Sequence, residues 1–195
     1  MKAFTARQKQ IINASINLIA TQSIYALTTK NIAKEIKLTE GAIYRHFSSK
    51  NDILLGIIQM FQQKAYRTLK ESCTSDVPAL EQIEAIFTQH IYFFIEKPAV
   101  TAVIFSESIF QSDNHLSKEV FKLLEMHEKA LHCIIERGQK QKEIRCDVDD
   151  KELIRVIIGS MRYTVTKWRL SGYSFDLEAE GVLIINGLKV LLVAQ

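Results

Sequence analysis

At 195 residues the chain is long enough to bury a real core in one or two domains. Its formal net charge of +3 excludes a uniformly basic protein, and seven Gly and two Pro among apolar residues at helical spacing point away from β-rich or collagen-like classes. The charge is uneven, however: residues 1–50 carry eight Lys or Arg against two Asp or Glu, and the remainder is mildly acidic. A basic first domain on an acidic body suits a protein that sets that domain on a polyanion.

A first helix is expected over 5–22, with Ile12, Ile16 and Ile19 on one stripe. Thr28 is a good N-cap for a short second helix, along which Ile32, Ala33 and Ile36 recur at helical spacing. That helix stalls at Lys37 and Leu38. Thr39 caps a third, with Glu40 in its first turn, where the helix dipole favours a negative charge. Gly41 and Ala42 leave the front of this third helix almost bare, as a helix entering the major groove requires. Tyr44, Arg45 and His46 follow, all able to hydrogen-bond to phosphate, while Phe47 and Leu38 are expected to pin the third helix to the first. This is the layout of a helix-turn-helix DNA reader.

A fourth helix should run from 49 or 51 to 72, and a polar break ending at Pro78 should separate it from a fifth, extending to 95. Further helices are expected over 99–110, 116–140 and 150–170, the last capped by Asp149 or Asp150, with a final one over 175–193. The closing pair is apolar on more than one face, which implies burial on two sides. The expected fold is therefore all-α with about nine helices: a helix-turn-helix DNA-binding domain over 1–50 and a helical body over 51–195.

The stretch from 7 to 55 resembles the DNA-binding domain of the TetR family of transcriptional regulators. The resemblance rests on Thr28-Thr29-x-x-Ile32-Ala33, Leu38-Thr39, Gly41 to Phe47, and Ser49-Lys50-x-Asp52-Ile53-Leu54. The tail Tyr44-x-His46-Phe47-x-x-Lys50 is its most diagnostic part. Motif coverage is about a quarter of the chain; the rest fits in length and helix count. Two positions depart from the family pattern. Lys37 stands where Gly is usual in the turn, at a positive φ that costs a non-glycine residue roughly 1 kcal/mol. Ser23 stands where Gly usually ends the first helix.

The resemblance implies phosphate contacts from Thr28, Tyr44, His46 and Lys50, with Lys30 as an addition. Base edges would be met by Thr39, Glu40, Gly41 and possible partner Arg45; Glu40 could accept from a cytosine N4, or serve only the helix N-terminus. The resemblance also implies a homodimer on a double-stranded DNA operator, its last two helices pairing into a four-helix bundle. Ile158, Met161, Val165, Ile185, Leu188 and Leu192 are the expected interface. The body would hold a small hydrophobic or amphipathic effector, with Phe87, His90, Phe94, Phe105, Glu107, His127, Tyr163 and Trp168 as candidate lining; core packing is the competing reading of each.

Cys73, Cys133 and Cys146 show no metal-ligand or redox spacing, and their odd number argues against a disulfide framework, so reduced thiols are expected. No cofactor or metal is expected, and no Gly-rich phosphate loop or nucleophile elbow points to an enzyme. The N-terminus lacks signal-peptide character and no apolar run reaches a membrane span's length, so a cytoplasmic protein is expected. A repressor released by its effector is the leading reading. A DNA-binding activator or architectural factor of the same fold, without an effector, is the alternative.

Overall fold

The computed structural model of the chain describes residues 4–22, 24–74, 76–105 and 113–194. Among these residues there are nine α-helices: α1 (Ala6–Thr21), α2 (Thr29–Glu35), α3 (Glu40–Tyr44), α4 (Lys50–Thr74), α5 (Ala79–Glu96), α6 (Pro98–Ile104), α7 (Asn114–Lys140), α8 (Asp150–Leu170) and α9 (Leu177–Leu192). The end expected for the sixth helix, together with Glu107 and Ser23, lies outside the described residues.

Local capping explains most helix starts. Thr5 and Gln8 form a capping box: the Gln8 N–H donates to Thr5 Oγ1 at 3.2 Å, and the Thr5 N–H donates to Gln8 Oε1 at 3.0 Å. Asp149 accepts from the Lys151 N–H, and Asp176 from those of Glu178 and Ala179. Asp113 accepts from His115 and Leu116, so α7 begins two residues earlier than its apolar periodicity suggested.

The chain forms two compact units. The first comprises Met1–Gln63 and Lys97–Leu123; the second comprises Lys64–Glu96 and Leu124–Gln195. The first unit thus takes in the three N-terminal helices, the start of α4, α6 and the start of α7. Its core includes Ile12, Ile32, Ile43, Ile53 and Ile57, all fully buried. Each such side chain stabilises the fold by roughly 1.5–3 kcal/mol. Phe47 is buried as expected, and it packs on α4. A Cβ on Gly56 would stand 3.2 Å from both Phe47 Cε1 and Ile12 Cδ1, so only glycine gives this approach without adjustment. Two polar links fasten α7 to α4 in this unit. Asn51 Nδ2 donates to Asp113 at 2.6 Å, and buried Gln62 donates to the Glu119 carboxylate at 2.9 Å.

In the second unit, α5 packs along α9. A Cβ on Gly181 would stand 3.1 Å from Ile91, Tyr92 donates to Glu178 at 2.6 Å, and Lys189 pairs with Glu84. Glu143, far along the chain, accepts from the Ala79 N–H at the start of α5. Cys73 on α4 and Cys133 on α7 are joined by a disulfide, with Cα atoms 5.2 Å apart. This corrects the expectation of three reduced thiols; Cys146 alone is free, and exposed. The pairing bridges 60 residues, so no local spacing could announce it.

Candidate nucleic-acid interface and effector site

The reading head is built from two capped helices and the turn between them. Thr28 Oγ1 accepts from the Asn31 N–H at 3.1 Å and Thr39 Oγ1 from the Ala42 N–H at 3.2 Å, so both expected N-caps form. Each is exposed, so a capping role leaves room for a ligand contact. The turn residue Lys37 has φ 54°, the left-handed conformation anticipated where a glycine would sit more easily. Ile43 and Phe47 anchor α3 inward. Lys30, Thr39, Glu40, Gly41, Tyr44, Arg45, His46 and Lys50 are all exposed. Any Cβ at Gly41 would meet nothing nearer than Thr39 Oγ1 at 4.0 Å, so the front of α3 is open to a close-lying surface.

Thr29 is a member of this cluster that the sequence did not single out. Its hydroxyl donates to Glu40 Oε2 at 2.8 Å and lies 3.4 Å from the Tyr44 hydroxyl. Its forewarnings were its place in the Thr28-Thr29-x-x-Ile32-Ala33 stretch and beside the N-cap, where a β-branched polar residue has no helical advantage.

The expected effector residues fall into separate groups. Phe87, His90 and Phe94 share one face of α5 in the second unit, and His127 of α7 meets His90. His90 Nδ1 is 2.7 Å from the Ile86 carbonyl, so it carries the proton; His90 Nε2 then accepts from His127 Nε2–H at 3.1 Å. Burial pushes the His90 pKa down to about 4, with His127 and Lys64 adding charge repulsion. Phe94 lies beside His90 and packs edge-on against Phe93, and Lys64 Nζ lies 4.7 Å over the Phe93 ring. A polar pair set among aromatic rings can orient a ligand that is otherwise apolar.

Phe105 belongs to the first unit. Tyr163 is 70% exposed on α8 and does not join His90. Trp168 is buried, and its Nε1 donates to the Phe175 carbonyl at 3.0 Å while its ring meets Tyr173, so it closes the α8–α9 connection.

The expected dimer residues also divide. Val165, Ile185, Leu188 and Leu192 are buried in the protomer's own core, whereas Ile158 and Met161 are half-buried. The apolar side chains left outward are Val156, Tyr163 and Leu170 on α8, seven residues apart, and Val182, Leu183, Val190 and Leu191 on α9. Both faces of α9 are apolar, so composition could not tell the inner from the outer. Gly159 and Gly187 border open space, as small residues on a contact face would.

Family models cover nearly the whole chain. Residues 11–57 match the model for bacterial regulatory proteins of the tetR family, and residues 58–190 match that for the YsiA-like protein C-terminal region. The chain belongs to the TetR family. It is a DNA-binding transcriptional regulator, not an enzyme, and works on a DNA operator as a homodimer. It is 24% identical over 194 residues to the fatty acid metabolism regulator protein of Bacillus subtilis, covering 100% of this chain and 97% of that one. It is also 24% identical over 169 residues to the nucleoid occlusion factor SlmA of Alteromonas mediterranea, covering 87% and 84% of the two chains. Among solved structures, FadR from Bacillus halodurans superposes with a TM-score of 0.81 at 21% identity, over 96% of this chain and 97% of that one. FadR from Bacillus subtilis in complex with stearoyl-CoA superposes with a TM-score of 0.76 at 23% identity, over 92% and 96%. Among the described residues no helix is long and apolar enough to cross a membrane.

Proposed function

We propose that this TetR-family repressor is released from its operator by a long-chain fatty acyl thioester such as an acyl-CoA. The observation that carries this reading is the end-to-end similarity to a fatty acid metabolism regulator, with both chains covered almost completely. The similar fold of a regulator crystallised with stearoyl-CoA supports it. So does the chemistry of the second unit: aromatic rings of α5 suit an acyl chain, and the His90–His127 pair suits the polar group at its head.

In this reading Thr28, Lys30, Tyr44, His46 and Lys50 meet phosphates, and Thr39, Glu40, Gly41 and Arg45 face base edges. The outward faces of α8 and α9 join two protomers. An operator in chromosomal DNA makes the cytoplasm the working compartment. An acyl-CoA releases DNA only through a higher affinity for the DNA-incompetent shape.

The test is operator binding by fluorescence anisotropy with stearoyl-CoA, free CoA or stearate added. Release by stearoyl-CoA at micromolar concentration, without release by free CoA, is expected. Unchanged DNA affinity and no calorimetric binding of stearoyl-CoA would overturn the proposal. Binding at many chromosomal sites with no effector response would favour the architectural role that the similarity to SlmA suggests.

A further inference from the structure

We propose that Thr29 is a positioning residue that sets the base preference of the reading head by holding the Glu40 carboxylate. This rests on the reading of residues 28–50 as the DNA interface.

The geometry assigns the protons. A carboxylate only accepts, so the single Thr29 hydroxyl proton goes to Glu40 Oε2, at 2.8 Å. The Tyr44 hydroxyl, 3.4 Å from Thr29 Oγ1, must then point its own proton at Thr29. The order is Tyr44 to Thr29 to Glu40, joining α2 to both ends of α3. The bond to the carboxylate is charge-assisted, at an ordinary O–H···O length. The one from Tyr44 lies at the outer limit of hydrogen-bond geometry, so a DNA phosphate can take over the Tyr44 proton at little cost. The Thr29–Glu40 link survives that exchange.

Glutamate alone on an exposed helix front samples many rotamers, and a negative side chain near phosphates is driven away from DNA. Thr29 opposes both tendencies, since it fixes one oxygen on the α2 side. A carboxylate held at the groove accepts hydrogen bonds and donates none. It therefore favours a base offering an amino group, cytosine N4 above all, and opposes the acceptors of guanine and of thymine O4.

The experiment selects bound duplexes from a random pool with the wild type and with Glu40→Ala, which locates the base position that Glu40 reads. Affinities for all four bases at that position are then measured for wild type, Thr29→Val and Thr29→Ser. Thr29→Val is expected to reduce the cytosine-over-thymine preference about ten-fold, and Thr29→Ser to restore it, with binding to non-specific DNA and the dimer unchanged. A wild-type preference in Thr29→Val overturns the proposal. An equal loss on every sequence also overturns it, by making Thr29 a phosphate contact. If Glu40→Ala leaves a symmetric consensus untouched, the proposal fails while the interface stands; if the wild type binds but selects no consensus, base reading by α3 fails as well; if it binds no DNA, the interface reading itself fails.

Discussion

His90 Nε2 and His127 Nε2 lie 3.1 Å apart, and the proton between them belongs to His127, because His90 has already committed its own to the Ile86 carbonyl. His90 is thereby held neutral, with burial as the main cause of its pKa of about 4. The unfolded chain returns it to about 6.5. Between these values the unfolded state binds more protons, so this contribution is complete above pH 6.5 and is lost as pH falls toward 4. The loss amounts to roughly 2–3 kcal/mol. Urea unfolding at pH 7 and pH 4.5 should show it in the wild type and a smaller drop in His90→Gln. An equal drop in both would place the acid sensitivity elsewhere.

Leu183 is 67% exposed and Ile185 is 3% exposed, two residues apart on α9. Leu183→Asp should therefore yield a folded monomer, read by light scattering and an unchanged helical spectrum. Ile185→Asp buries an unpaired carboxylate and should cost several kcal/mol and unfold the protomer. A stable Leu183→Asp dimer would mean that another face joins the subunits.

The disulfide between Cys73 and Cys133 closes a 60-residue separation, which on chain-entropy grounds stabilises the fold by up to about 4 kcal/mol. Dithiothreitol should lower the melting temperature of the wild type and leave a Cys73→Ser variant unaffected. Equal melting of wild type and Cys73→Ser without reductant would show that the bond carries no net stability.

Tyr44 is more than half exposed, and its ring is not part of the core. Tyr44→Phe should weaken binding to all sequences by a similar factor of roughly 3–10, the loss of one phosphate hydrogen bond. Its salt dependence should barely change, because no charge is lost. A sequence-dependent loss would instead make Tyr44 part of base readout.

The reader was legible from its residues because its determinants are local. Thr28 and Thr39 cap helices that begin at the next residue, and the left-handed Lys37 lies in the turn that required it. Both are settled within a few residues of chain, where backbone sterics and N–H groups leave few solutions. The alternation of apolar and polar residues likewise set the number and type of the helices.

Contacts made across the fold were different. Cys73 and Cys133, His90 and His127, and Thr29 and Glu40 are separated by 60, 37 and 11 residues. Their meeting depends on how each helix is rotated and docked, which no short window of sequence encodes. The same holds for α8 and α9, where both faces are apolar. Val165 and Ile185 turned inward and Tyr163 and Leu183 outward because one face of each helix packs on its own core. Sequence periodicity determined that these helices carry apolar side chains on two faces; only tertiary packing decided which face lies in the protomer's own core.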